Sequence, residues 1–239
     1  MKKFSLTTAI NQLELGKKTT CNKITNENSI PFFAKSTDII NIFLPRLTII
    51  GDSREQDNWI EKVCKYYGIN YVKAKKDKKL KTENLKEGDY SFIVDFDNTE
   101  YNYIGKVSYE RKGSPSELYN NCIKGRKRVK REFDRFQTKQ YEKVVLLIEF
   151  GEKLTDLINV EFSYWNSFGR KETKTTGKTV YSTIMSWKQP NNNDFDIIQS
   201  NSHNNLFWYM IQDMFYYFRQ DIRLECLSKN LIKGELFEV

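Results

Sequence analysis

The chain holds a single histidine, His203, set among asparagines in Ser202-His203-Asn204-Asn205. A Ser-His-Asp triad or a histidine-rich metal centre would have to rest on that one loop residue, so hydrolases of both kinds are set aside. The four cysteines, Cys21, Cys64, Cys122 and Cys226, are widely spaced and form no C-x-x-C pair. That removes zinc ribbons and dithiol redox motifs and fits a reducing setting. No stretch reaches the ~20 apolar residues of a membrane span. The run from Leu206 to Phe218 is short and is interrupted by Gln212 and Asp213. Asn11, Gln12 and Glu14 break the apolar core that a signal peptide would need after Lys2 and Lys3. A P-loop is missing as well: Gly177-Lys178-Thr179 has its ending, but Glu172 stands where the first glycine must be. The expected place is the cytoplasm of a bacterium or of a phage-infected host, in keeping with the Asn-, Lys-, Ile- and Tyr-rich usage of an AT-rich genome.

What the chain does have is positive charge. The net charge is +8 over 239 residues, with a pI near 9.1, which favours a polyanionic partner because neutralised phosphates release counterions. The excess is concentrated: Lys106 to Lys143 carries twelve Lys or Arg against five Asp or Glu. A solvated lysine-rich face is the plain alternative for such a run. The length supplies one principal core.

Residues 1–45 are polar and weakly periodic and read as an N-terminal extension, with Pro45 at the boundary of a domain covering 46–239. Leu47-Thr48-Ile49-Ile50, ended by Gly51-Asp52, reads as a buried strand with Asp52 at its tip. Trp59, Ile60, Val63, Cys64 and Tyr67 recur at helical spacing before Gly68. Ile69 to Val72 starts another strand. The seven lysines from Lys73 to Lys86 suit either a solvated loop or a phosphate-facing hairpin. Tyr90 to Val94 and Val107 to Tyr109 are β-rich runs joined by an acidic arm, a hairpin that brings Asp89 and Glu110 together across two strands. Ser114-Pro115-Ser116-Glu117 has the signature of a helix start, with Ser as N-cap, Pro at the first helical position and Glu117 closing a capping box. The basic helix that follows carries Leu118, Cys122, Val129, Phe133 and Phe136 inward, with Gly125 as an interruption. Val144 to Phe150 is apolar enough for a central strand covered on both faces. Phe207, Trp208, Tyr209, Phe215, Tyr216, Tyr217 and Phe218 have the spacing of a core or interface helix.

Two units carry chemistry: Gly88-Asp89-Tyr90 and Glu110-Arg111-Lys112, with Gly51-Asp52-Ser53-Arg54-Glu55 upstream. Separated carboxylates followed by a lysine suit metal-assisted phosphodiester cleavage. Mg2+ commonly takes only one or two protein carboxylates beside a substrate phosphate, and an ammonium steadies developing negative charge.

These units, in this order, resemble the XPF-type structure-specific nucleases, a branch of the PD-(D/E)XK restriction-enzyme-like group. The matching pieces are Asp52-Ser53-Arg54-Glu55, Leu85 to Tyr90, Glu110-Arg111-Lys112, Gly125-Arg126, Arg131 to Arg135 and Leu146-Leu147-Ile148-Glu149. The resemblance is strong over 46–150. It resumes at Ile222 to Cys226, Ser228 and Glu235-Leu236-Phe237, similar to the family's last strand and helix, and residues 152–205 read as a divergent insertion. It implies an α/β, restriction-endonuclease-like fold, a mixed central sheet flanked by helices. It implies a metal-dependent DNA endonuclease in which Asp89 and Glu110 bind Mg2+ or Mn2+, with the Arg111 main-chain carbonyl and Asp52 as further ligands. Lys112 would orient or activate the attacking water, and Asp52 and Glu55 would complete an acidic rim that holds Arg54 and Lys112. Arg54, Arg111, Arg126, Lys127, Lys130 and Arg131 would contact DNA phosphates, which suits selection of branched, forked or flap DNA by shape. Partners implied are DNA, a second copy of the chain, and a host or replication protein.

One departure lies just after the site. The family's Asp, four positions after the lysine, is Ser116 here; Glu117 follows it and is read as a cap. The chain also ends at Val239 without the length for the tandem helix-hairpin-helix module many members use, so loops, extension or a dimer mate would grip DNA. Alternatives to the endonuclease are a non-catalytic DNA-binding subunit and a sequence-specific restriction-type enzyme.

Overall fold

Val144-Val145-Leu146-Leu147-Ile148 offers apolar side chains in both directions, and the fold is organised around that strand. A computed structural model describes residues 43–53, 59–74, 88–95, 102–138, 141–165, 171–188 and 195–228. Nearly all of the expected extension, Arg54, Glu55, most of the lysine run, the arm at 96–101 and the residues after 228 lie outside the described residues.

In chain order the elements are β1 (Leu47–Asp52), α1 (Trp59–Tyr67), β2 (Asn70–Ala74), β3 (Tyr90–Asp95), β4 (Asn102–Ile104) and β5 (Val107–Lys112). Next come α2 (Pro115–Tyr119), α3 (Arg126–Thr138), β6 (Lys143–Ile148), β7 (Glu161–Trp165) and β8 (Lys171–Thr176), then α4 (Gly177–Trp187), β9 (Asp196–Gln199) and α5 (His203–Ser228). One sheet runs β2-β1-β3-β5-β6-β9, with β4 paired to β3, and β7 and β8 form a separate hairpin. The β1–β2, β5–β6 and β6–β9 pairs are parallel, while β3 is antiparallel to β1, β4 and β5. The protein is therefore mixed α/β, with a mixed central sheet flanked by helices.

The pleat of β6 divides the core. Val145 and Leu147 join Ile49, Tyr90, Phe92 and Tyr109 under α1 and α5, which we call the first face. Val144, Leu146 and Ile148 join Leu118, Cys122 and Val129, with Val180 and Ile184 of α4, on the second face. The aromatic run proves to be a core helix: Leu206, Phe207, Met210, Ile211, Met214, Phe215 and Phe218 form one buried stripe of α5. Full burial of each such side chain is worth about 1.5–3 kcal/mol. Phe43, two residues before the expected boundary at Pro45, is buried against Phe92, Phe215 and Phe218.

Two expectations change. Ile222 to Cys226 is not a strand, since α5 continues through it to Ser228. The last strand of the sheet is instead β9, which pairs with β6 through Leu146↔Ile197 and Leu147↔Ile198. Thus the segment read as a divergent insertion supplies both an edge strand and a helix of the second face. Gly177, the P-loop look-alike, opens α4 where the backbone passes Leu157: a Cβ there would lie 1.6 Å from the Leu157 carbonyl oxygen. Among the described residues no helix is long and apolar enough to cross a membrane.

Candidate active site

The tips of β1, β3 and β5 lie side by side. The Asp52 N–H donates to the Asp89 carbonyl at 2.8 Å, and the Asp89 N–H donates to the Tyr109 carbonyl at 2.9 Å. Gly88 enters β3 at φ +84°, a backbone angle that glycine adopts without strain, and this delivers Asp89 to the edge of β5. There the Asp89 carboxylate accepts the Arg111 N–H through Oδ2 at 2.7 Å. The predicted meeting of the Asp89 and Glu-Arg-Lys units is present in the fold.

Alternation along β5 then separates its residues. Val107 and Tyr109 enter the first core, so Glu110 and Lys112 turn to the second face, where they line a small cavity with Leu118, Asn121, Val129, Glu132, Leu146 and Trp187. Asp52, Glu110 and Lys112 are all buried. Lys112 Nζ donates to Glu110 Oε1 at 2.6 Å and lies 3.5 Å from Glu117 Oε1. Burial works against the Lys112 charge, but the carboxylates of Glu110, Glu117 and Asp89 outweigh it and hold its pKa above the ordinary lysine value. This environment favours the ammonium form of Lys112, which can orient a water or a phosphate oxygen.

Glu117 does more than cap a helix. Ser114 Oγ caps α2 by accepting the Glu117 N–H at 3.1 Å. The Glu117 carboxylate reaches back to the Gly113 N–H at 3.0 Å with one oxygen and faces Lys112 with the other. It therefore belongs to the site as well as to the cap.

Other expected residues separate by location. Arg54 and Glu55 lie outside the described residues. Arg126, Lys127, Lys130 and Arg131 are exposed along α3; Lys130 pairs with Asp134 at 3.2 Å and Arg131 Nε donates to the Lys127 carbonyl at 3.2 Å. Arg111 departs from expectation. Its guanidinium turns away from Glu110 and grips Glu149, with Nε on Oε1 and Nη2 on Oε2 at 2.9 Å. The reason is pleat geometry, since the residue between Glu110 and Lys112 must face the opposite side. A phosphate contact by that side chain is not what this geometry offers.

Two parts of the site escaped the sequence reading. Glu149, with a side chain only 3% exposed, also accepts the Trp59 indole N–H, and His203 Nε2 lies 3.5 Å from its Oε2. His203 stacks on Trp59 with ring centroids 4.6 Å apart. Glu132 is the other: it lies half-buried on the inner side of α3 beside Glu110 and Lys112. Burial, followed by the Glu110 charge, raises its pKa, against the opposing pull of Lys112, Arg128 and Arg135. Its spacing of three from Val129 was a usable signal, hidden inside the charge run.

The donors that converge here are carboxylate oxygens, the type that suits a hard divalent cation. Among the described residues no three His, Cys, Asp or Glu side chains gather closely enough to enclose an ion. Asp89 and Glu110 are the carboxylates that could serve a cation such as Mg2+, which uses one or two of them and completes its shell with water and substrate oxygens.

No protein-family model matches the sequence, and no curated protein matches it. Among solved structures the chain is similar to XPF from Aeropyrum pernix, at 13% identity and a TM-score of 0.44, over 70% of this chain and 64% of that one. The match thus spans less than two thirds of the XPF chain.

Proposed function

We propose that this protein is a Mg2+-dependent DNA endonuclease that selects branched, forked or flap DNA, with Asp89 and Glu110 as the cation ligands and Lys112 beside them. The observation that carries the reading is the buried Glu110–Lys112 pair at 2.6 Å, next to a β3 tip that holds Asp89. Burying such a pair is costly, and a surface pair would serve stability as well. Its position at the mouth of the carboxylate row fits a reactive site.

A divalent cation bound there would lower the pKa of an attacking water and offset charge on the scissile phosphate. The protein's own groups do the rest. Asp89 is aimed by the Arg111 N–H, Lys112 presents a fixed positive charge to the phosphate, and Asp52 lines the row from β1. The exposed cations of α3, Arg126, Lys127, Lys130 and Arg131, would hold the sugar-phosphate backbone. Contacts of that kind position DNA without reading bases, which suits recognition of shape.

The test uses purified protein, Mg2+ and end-labelled fork, flap, four-way junction, single-stranded and linear duplex DNA. Cutting is expected on one or more branched substrates, with Asp89→Asn and Lys112→Ala strongly impaired. A wild type that binds these DNAs and cuts none, or variants that cut equally well, would reject the reading.

A further inference from the structure

We infer that Glu132 is a positioning residue that receives Lys112 when Glu110 takes up a divalent cation. The inference rests on the reading of Glu110 as a cation ligand.

In the structure Glu110 Oε1 is occupied by the Lys112 ammonium at 2.6 Å inside a buried pocket. A cation at that oxygen would bring two positive centres together where little water screens them. The ammonium must move, and a buried ammonium needs a new acceptor. Glu117 is near, at 3.5 Å, but its other oxygen is tied to the Gly113 N–H and its backbone to the Ser114 cap. Glu132 lines the same small cavity from α3, and its carboxylate makes no side-chain hydrogen bond or close ion pair among the described residues, though it feels the charges of Lys112, Arg128 and Arg135. A half-buried carboxylate with no hydrogen bond, opposite a lysine that must be displaced, is a receiving group held ready. Lys112 is suited to the exchange because its ammonium rides on a flexible stem with three rotatable donors.

If Glu132 acts by drawing Lys112 off Glu110, its value for cation binding disappears once Lys112 carries no charge. The experiment measures Mn2+ binding to the full chain, without DNA, from the loss of the free-ion EPR signal in wild type, Glu132→Gln, Lys112→Met and the double variant. Expected are a Glu132→Gln affinity about 10-fold below wild type, the scale of a lost outer-shell partner, and a double variant equal to Lys112→Met. An equal loss in both backgrounds would make Glu132 a ligand or a general attractor of cations and overturn the inference. So would a Glu132→Gln affinity equal to wild type, while leaving the cation site intact. No Mn2+ binding by wild type would overturn the site reading and this inference with it. Should Lys112→Met fail to fold, a crystal structure of wild type with Mn2+ decides the matter: Lys112 Nζ bonded to Glu132 is expected, and Nζ still on Glu110 overturns the proposal.

Discussion

Replacing Glu149 by alanine should be among the most damaging single changes outside the carboxylate row. The side chain is 3% exposed and accepts hydrogen bonds from Trp59 of α1 and Arg111 of β5, with His203 of α5 alongside. Truncation leaves the Arg111 guanidinium, 12% exposed, with its carboxylate partner gone. Breaking a buried ion pair from one side costs about 3–5 kcal/mol. An orphaned indole N–H adds about 1–3 kcal/mol, not fully additive because all these groups share one carboxylate. A loss of roughly 4 kcal/mol is a large part of the ~5–15 kcal/mol that a domain has in total. Urea unfolding followed by tryptophan fluorescence measures it, and Glu149→Gln, which keeps an acceptor, should lose clearly less. The double variant Glu149→Met with Arg111→Met should recover part of the loss, since apolar groups of similar volume replace a buried pair at little cost. A Glu149→Ala protein within about 1 kcal/mol of wild type would refute the reasoning, because the charge would then be finding water that the structure denies it.

Gly177→Ala should destabilise by about 1–3 kcal/mol or more, since its Cβ would meet the Leu157 carbonyl oxygen at 1.6 Å and backbone must shift; thermal unfolding measures this. Cys64 and Cys122 are buried thiols with pKa values pushed up to about 12 by desolvation, so iodoacetamide at pH 8 should leave both unmodified in native protein and label them in urea, read by peptide mass spectrometry. Arg126→Ala combined with Lys130→Ala should weaken DNA binding uniformly across sequences and reduce the slope of log K against log salt by about 2, from anisotropy titrations. An unchanged slope would place the DNA elsewhere than α3.

The parts of the fold legible in the sequence were those with a strong period or a turn signal. β1, α1, β3, β5 and the Ser114 cap each have one, and Gly125 does separate two helical segments, whereas the arm between β3 and β5 holds a further strand, β4, that pairs with β3. β9 was missed because Asp196-Ile197-Ile198-Gln199 is four residues long and follows an asparagine-rich stretch; its identity as a strand comes from pairing with β6. Ile222 to Cys226 was misread because β-branched and apolar residues suit either element, and the continuation of α5 decides. Within the site, the meeting of Asp89 with the Glu110-Arg111-Lys112 unit was legible because two β-rich runs joined by a short arm bring them side by side. Glu149 was not, since its partners come from three distant elements, with Trp59 90 positions away. Glu132 reads in the sequence as one more charge of a basic helix, and only the packing of α3 beside β5 sets it apart.

The most direct test of the central claim is the single-turnover rate of cutting on an end-labelled fork by wild type and Glu110→Gln, each with Mg2+ and with EDTA. The account predicts cutting by wild type with Mg2+ alone and a fall of roughly 100-fold or more in Glu110→Gln, the scale of several kcal/mol of lost charge stabilisation. Equal rates for the two proteins, or cutting by wild type that persists in EDTA, would contradict it.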